Sequence, residues 1–569
     1  MQEFRAFDYI IFSEDGIKGR LEALADYARK ENLAVLCVTK REKEILTFVD
    51  VLLDENNFVG IIAVNREILK ETGSVNRILK EKRGYELLLR IAEITTVHAT
   101  NATNIDAVSI KKEPHNANIK EALKTDCYLI GKYRDDLKRN GCFDNAIKKV
   151  FYRAVKHGIK EEISVFLKHM IKQDGVFWGI ARDTQPILLY KSDDICHNIL
   201  NLFSEQFGKA LQEEGQRVEF FDNKKDASKF FDYIGKQFKA IVGFHTKLFE
   251  LNYKNIFLHD LIGGGKYNFI TDHPIYYRNW FKYHSNIPLV NVEFLTLDNN
   301  YVNFYKKYYS KNAYFFPPAG TSLSGTSPKT YPFTFLGSWA DYRSSLRVIR
   351  KQERNIRFLL NRFLLIMKQN TDFTSEKAFR LALQYYGMNE EENFLEYFSV
   401  CVDAMRCIHW YYREKVISKI LEEGLELHVF GNSWYKSRFN GYPNLIIHPP
   451  VEAKEGVRIL QESLITLNVM SWHKAGFTER IANALLGQTV VVSDWSEYLE
   501  CNFDDGNEIV LFRLQHLDEL PKMVKELMTN EEKRQDIGKK GFEKALRFHT
   551  WQARAKEFLG ILQNEVRVN

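Results

Sequence analysis

The chain is poor in the residues that build covalent or metal frameworks. Only 7 cysteines occur in 569 residues, far apart, with no CxxC and no close Cys/His cluster. That excludes a disulfide scaffold and a zinc ribbon, and reads as reduced thiols in a cytoplasmic protein. No apolar run approaches the roughly 20 residues that span a bilayer. The first residues, MQEFRAFDYIIF, lack a basic n-region, so no signal peptide is expected. No Lys/Arg run stands out: 80 basic against 74 acidic side chains leave a net charge of +6, which implies no nucleic-acid partner. A mildly basic cleft for a phosphorylated ligand accounts for that balance. What is present is a globular composition, 45% hydrophobic and 14% aromatic, in a chain long enough for two to four domains.

Three regions emerge. Over 1–100, apolar strands (Tyr9–Phe12, Leu33–Val38) alternate with amphipathic helices (Gly16–Lys30, Gly84–Ile94). Residues 101–183 read as a helical connector, with helices near Asn145–His157 and Lys160–Gln173. Residues 184–330 open on a buried strand, Pro186–Tyr190. A loop, a helix ended by Gly215 and a second strand, Val218–Phe221, complete a βαβ unit, which implies a parallel sheet. Further strands fit Ala240–Phe244 and Tyr267–Thr271, and TSLSGTSPKT reads as an interdomain linker. Residues 331–569 restart with a strand at Phe333–Leu336, a long helical stretch over Tyr342–Glu423, and strands at Leu425–Phe430 and Leu445–His448. Two consecutive doubly wound domains make a cleft lined by loops at the carboxyl ends of their strands.

The most informative segment is Ser471–Leu499. A loop, Lys474-Ala475-Gly476-Phe477, opens a helix carrying Glu479, Arg480 and Asn483. Gly487 and a buried strand, Thr489–Ser493, follow. The helix start aims backbone N–H groups at the loop, which favours a phosphate without a Walker lysine pattern.

In order along the chain, TDHP (271–274), LDNNYVNFYKKYY (297–309), FFPPAG (315–320), FLGSWADYR (335–343), HVFGNSW (428–434), the segment above, YLECNFDDG (498–506) and HTWQARA (549–555) resemble a GT-B glycosyltransferase of the CgeB-like, spore-maturation type. FDYIIFSEDG, NNFVGIIAVNREIL and RGYELLLRIAE in the first hundred residues are similar to the second half of a family-2, GT-A-type glycosyltransferase. Ser13-Glu14-Asp15 replaces that family's acidic metal motif, and Gly84 stands where its catalytic acid motif begins. The resemblance implies an α/β fold: two Rossmann-like domains preceded by a reduced GT-A-like region kept for assembly or acceptor binding.

The resemblance places candidate donor-binding residues on the second domain. Lys474 or Arg480 would meet a diphosphate, and Glu479 or Asn483 sugar or ribose hydroxyls; the bland alternative is a solvated helix face. Many retaining relatives carry two glutamates about seven residues apart here, whereas Glu479 and Asn483 are four apart, so stereochemistry stays open. Gly337, Ser338 and Arg343 would form a phosphate turn, or an ordinary βα turn. Gly431, Asn432 and Trp434 would flank the nucleobase, or Trp434 is core. Gly476 and Phe477 complete the donor loop. Asp272 or His273 would be the catalytic base of an inverting reaction; the alternative is an Asp turn fixed by Pro274. Asp193, Asp194 and His197 are weaker candidates, His245 and Asp260 weaker still. Ser13-Glu14-Asp15 as a Mg²⁺ or Mn²⁺ site is the lesser reading, and Tyr301–Tyr309 reads as a packing face.

The expected function is transfer of a sugar from a nucleotide-sugar co-substrate to a protein, peptide or glycan hydroxyl, with no cofactor and no divalent metal. Self-association through the N-terminal region is allowed. The rivals are a non-catalytic glycan-assembly scaffold and a nucleotide-sugar epimerase.

Overall fold

The computed structural model describes residues 2–6, 8–13, 17–18, 21–40, 45–53, 58–76, 78–101, 111–112, 118–157, 185–191, 197–233, 236–253, 256–257, 259, 262–283, 292–323, 328–388 and 390–568. Glu14, Asp15, the expected helix over Lys160–Gln173, Asp193, Asp194 and Asp260 lie outside the described residues. The chain divides into two compact units: Met1–Phe177 with Phe231–Lys236 and Asn252–Leu261, and Trp178–Phe230 with Gln237–Leu251 and Ile262–Asn569.

The first unit carries a mixed sheet. Its strands are β1 (Gln2–Ala6), β2 (Tyr9–Ser13), β4 (Val35–Thr39), β5 (Ile45–Leu46), β6 (Phe58–Asn65) and β7 (Val97–Asn101), in the order β1-β2-β6-β4-β7-β5. Among the described residues only β4 and β7 of this sheet pair in parallel. Two short antiparallel ribbons, β3 (Ile17–Lys18) with β8 (Lys111–Lys112) and β12 (Asn252–Tyr253) with β13 (Ile256–Phe257), lie beside it in the same unit. Alternation along the strands sends Ile11, Leu36, Val38 and Ile61 to one face, under the helix Glu22–Lys30. Phe12, Val35, Cys37 and Ile62 go to the other, under Arg83–Ile94.

The second unit holds two six-stranded, wholly parallel sheets in series. The first contains β9 (Ile187–Tyr190), β10 (Val218–Phe221), β11 (Gln237–Phe244), β14 (Gly263–Ile270), β15 (Val292–Thr296) and β16 (Ala313–Phe315), ordered β10-β9-β11-β14-β15-β16. The second contains β17 (Tyr331–Phe335), β18 (Leu427–Phe430), β19 (Leu445–His448), β20 (Ser463–Asn468), β21 (Val490–Asp494) and β22 (Val510–Phe512), ordered β19-β18-β17-β20-β21-β22. Strands covered on both faces read as continuous apolar runs, which is why β9 and β21 are buried at every position. Strand order reverses between β9 and β11 and between β17 and β20. Loops at the carboxyl ends beside those reversals are where such sheets bind ligands.

The long helical stretch resolves into five helices: Tyr342–Arg350, Arg354–Gln369, Ser375–Tyr385, Glu390–Phe398 and Val402–Glu422. The C-terminal helix, Trp551–Val568, packs on the first parallel sheet, with Trp551 and Phe558 against Phe207. The described ends of the 321–330 connection are pinned. Thr321 N donates to Asn483 Oδ1 at 2.8 Å, and Lys329 Nζ donates to the Gln461 and Gly487 carbonyls.

Candidate active site

The loops after β17, β18 and β19 and the start of the helix Glu479–Leu485 enclose a cleft of about 190 Å³. Leu336, Phe430, Pro450, Val451 and Leu460 give it apolar walls, and Gly337, Ser338, Gly431, Glu479, Arg480 and Asn483 supply backbone and polar groups. His197 and Ile199, from the first parallel sheet's side, close it. Gly431 sits at φ 116, and a Cβ there would meet nothing within 4 Å, so its backbone faces open space. At Gly337 a Cβ would lie 2.7 Å from the Phe335 ring, so the turn tolerates no side chain.

Beside this cleft the β20 loop gathers positive charge. Lys474 is only 5% exposed and forms no ion pair or side-chain hydrogen bond among the described residues. Burial pushes its ammonium below the usual range, against the opposing pull of Asp494, Asp372 and Asp298. Arg480 donates to the Leu336 carbonyl at 3.1 Å, and buried Arg413 donates to the Ser338 carbonyl at 2.9 Å. Burial and the neighbouring Arg480 both lower the Arg413 pKa. Asp494, the acid that acts most strongly on Lys474, spends its oxygens on the Met470 and Ser471 N–H groups at 2.7 and 2.6 Å. Two histidines nearby stay neutral. Burial, then Arg480, His273 and Lys474, hold His473 down at about 3, and burial with Arg413 lowers His409. Trp472 stacks on His409 at 4.3 Å and donates its indole N–H to His473 Nε2. A buried, unpaired cation is costly, so this cluster of cations is complementary to an anion.

The same loop is tied to the end of β15. Asp298 accepts from Ala475 N at 3.1 Å and Phe477 N donates to the Leu297 carbonyl at 3.1 Å. Gly476 permits this approach: a Cβ there would lie 2.8 Å from His473 Cβ and 3.2 Å from Asp298 Oδ2. Tyr301 and His473 Nδ1 share a hydrogen bond of 3.0 Å.

At the carboxyl ends of β11 and β14 the side chains sort differently from expectation. His273 is buried with both ring nitrogens engaged. Nδ1 accepts from Ile275 N at 3.1 Å, capping a short 3₁₀ helix, and Nε2 meets Glu376 at 2.9 Å. His245, one residue past β11, hydrogen-bonds the Tyr277 hydroxyl through Nε2 at 2.6 Å. Asp272 stands beside the same hydroxyl. Burial lowers the His245 pKa, and Asp272 opposes that shift. His245 Nδ1 has no partner among the described residues. His245 is held at φ 54, in the left-handed region. The Tyr276 ring meets Trp472 at 6.3 Å, linking this group to the cationic loop.

Other expected residues are placed elsewhere. Arg343 is exposed and ion-paired with Asp341 and Glu414 at 3.1 and 3.2 Å, outside the cleft lining. Trp434 is fully buried, edge-on to Phe335, and donates to the Gly337 carbonyl at 3.0 Å. It therefore supports the glycine turn from behind. Asn432 does not line the cleft. Phe477 is core, stacked on His549 at 4.5 Å. Asn483 reaches the cleft while capping Thr321. Arg413 and His409 carry no motif of their own, and Trp472 and Asp298 lie inside motif segments that gave them no role. Only the fold brings the four to the candidate site.

Among solved structures, sucrose-phosphate synthase from Thermosynechococcus elongatus is similar at 9% identity and TM-score 0.42, over 68% of this chain and 100% of that one. Anabaena HepE in complex with UDP-glucose is similar at 9% identity and TM-score 0.40, over 67% and 100%. The pneumococcal O-GlcNAc transferase GtfA in complex with UDP and GlcNAc is similar at 9% identity and TM-score 0.34, over 57% of each chain. At these scores the fold rests on the strand orders above. No curated protein matches the chain. Residues 413–560 match the model of a family described as glycosyl transferase-like, and that stretch holds Arg413, Gly431, Lys474, Glu479, Arg480 and Asn483.

Proposed function

We propose that the chain is a glycosyltransferase that moves a sugar from a nucleotide-sugar donor to a hydroxyl-bearing protein, peptide or glycan acceptor. The observation that carries this reading is half-buried Arg480 lining an apolar, glycine-walled cleft, with buried Lys474 and Arg413 close to it. The cleft suits a nucleoside and these cations its diphosphate. The helix Glu479–Leu485 has seven residues, so its dipole adds little and the side-chain cations carry the phosphate.

In this reading His245 Nδ1 takes the acceptor hydroxyl's proton, with Tyr277 and Asp272 orienting the ring. The acceptor oxygen attacks the anomeric carbon as the bond to the diphosphate oxygen breaks. The negative charge that develops on the leaving diphosphate is stabilised by Lys474 and Arg480, and no divalent cation is needed. A single displacement of this kind inverts the anomeric centre. Asp272 keeps a role in the base, as a partner of His245. The motif order supports a CgeB-like subtype, and the N-terminal unit serves assembly or acceptor binding in a cytoplasmic enzyme.

A thermal-shift panel of nucleoside diphosphates tests the reading. One nucleotide is expected to stabilise the wild type, and Arg480→Ala to lose that response. No stabilisation by any nucleotide would favour a scaffold. Unchanged donor turnover in Arg480→Ala would remove the phosphate assignment.

A further inference from the structure

The helical insertion of the second unit carries a charge and an apolar surface that sugar transfer does not use. Residues 342–369 contain eight Lys and Arg against Glu353 alone, a net charge of +7 where the whole chain has +6. The sixteen-residue helix Arg354–Gln369 has no acidic residue. On its outer face Phe358 is 43% exposed, and Tyr385 and Tyr386, at the end of the neighbouring helix, are 61% and 45% exposed. These aromatics form one patch with arginines. Arg354 and Arg357 lie 5.6 and 5.9 Å from the Phe358 ring centre, and Arg362 lies 3.9 Å from that of Tyr385. Tyr385 and Tyr386 touch edge to face at 5.1 Å, and the Tyr386 hydroxyl donates to the Phe358 carbonyl at 3.3 Å. None of the three arginines forms an ion pair among the described residues.

We propose that this face docks on an anionic lipid bilayer. Arginines seated on exposed aromatic rings match the two layers of a membrane surface: phosphates at the headgroup plane and an apolar boundary just beneath. A second copy of the same face would bring like charges together. A polyanionic chain would use the arginines and leave Phe358 and Tyr385 unrewarded.

The full-length chain is sedimented with phosphatidylcholine vesicles containing phosphatidylglycerol and with pure phosphatidylcholine vesicles. The wild type is expected to pellet with the anionic vesicles alone, and less as salt rises. Arg354→Glu with Arg357→Glu lowers partitioning by about tenfold or more. Phe358→Ser with Tyr385→Ser also lowers it at unchanged charge. Both variants keep the wild-type nucleotide-induced thermal shift, which shows that they fold. Equal pelleting with neutral vesicles, or none with anionic ones, overturns the proposal. So does tight binding of soluble polyphosphate that Phe358→Ser with Tyr385→Ser leaves unchanged, which would mark a polyanion site instead.

Discussion

Asp298 Oδ2 accepts a hydrogen bond from the backbone N–H of Ala475 at 3.1 Å, joining the end of a strand in one parallel sheet to the cationic loop of the other. Asp298 also caps the following helix through Asn300 N at 2.8 Å. The carboxyl is fully buried, and burial outweighs these two bonds to push its pKa up to about 7.

That shift predicts a pH signature. In the unfolded chain Asp298 ionises near its ordinary value of 3.8, whereas in the fold it keeps its proton up to about 7. The unfolded state therefore binds fewer protons across that window, and this group's contribution to stability falls as pH rises through it. Asp298→Asn keeps an oxygen for Ala475 N and removes the titration. Its Tm should decline less than the wild type's between pH 4 and 7, measured by calorimetry.

Gly476 should resist any side chain. Gly476→Ala puts a methyl 2.8 Å from His473 Cβ and 3.2 Å from Asp298 Oδ2 and the Leu297 carbonyl. The expected cost is about 1–3 kcal/mol, read from denaturant unfolding, together with weaker nucleotide binding because the loop is displaced.

Arg343 separates the structure from the expectation raised by motif position. It is exposed and paired with Asp341 and Glu414. Arg343→Ala should leave nucleotide affinity unchanged and cost about 0–1 kcal/mol of stability. Calorimetric titration and a melt measure both.

His245 should control the acid limb of the rate profile. Burial lowers its pKa, so the neutral base persists below the usual imidazole range and is lost only as pH falls further. kcat/KM should rise with pH through an apparent pKa below the ordinary 6.5. His245→Asn should flatten that limb and lower kcat by about 10²–10⁴-fold, with donor affinity kept. Loss of affinity together with kcat would mean that His245 only holds the fold.

Much of the architecture was legible in the sequence because fully buried parallel strands are unbroken apolar runs. Ile187–Tyr190 and Val490–Val492 are of this kind. Ser463–Asn468 escaped notice because Ser463, Thr466 and Asn468 interrupt its apolar pattern. Inside the fold those polar groups bond to Thr334 and Ser493. The candidate site was half legible. Lys474, Glu479, Arg480 and Asn483 share one loop and helix, so local spacing reveals them. Arg413, on the helix Val402–Glu422, and the pairing of His245 with Tyr277 depend on which distant elements become neighbours, and no local pattern carries that. His273 caps a short helix with both ring nitrogens engaged, an arrangement that a histidine beside a proline does not announce in sequence.

In the proposed function, buried Lys474 meets the diphosphate of the donor. Lys474→Met tests it directly, by calorimetric titration of the nucleoside diphosphate that stabilises the wild type, with melts of the free protein alongside. Removing an unpaired buried charge should leave the free protein as stable as the wild type or more so, while nucleotide affinity falls by about tenfold or more. A destabilised free protein that binds the nucleotide as tightly as the wild type would contradict it.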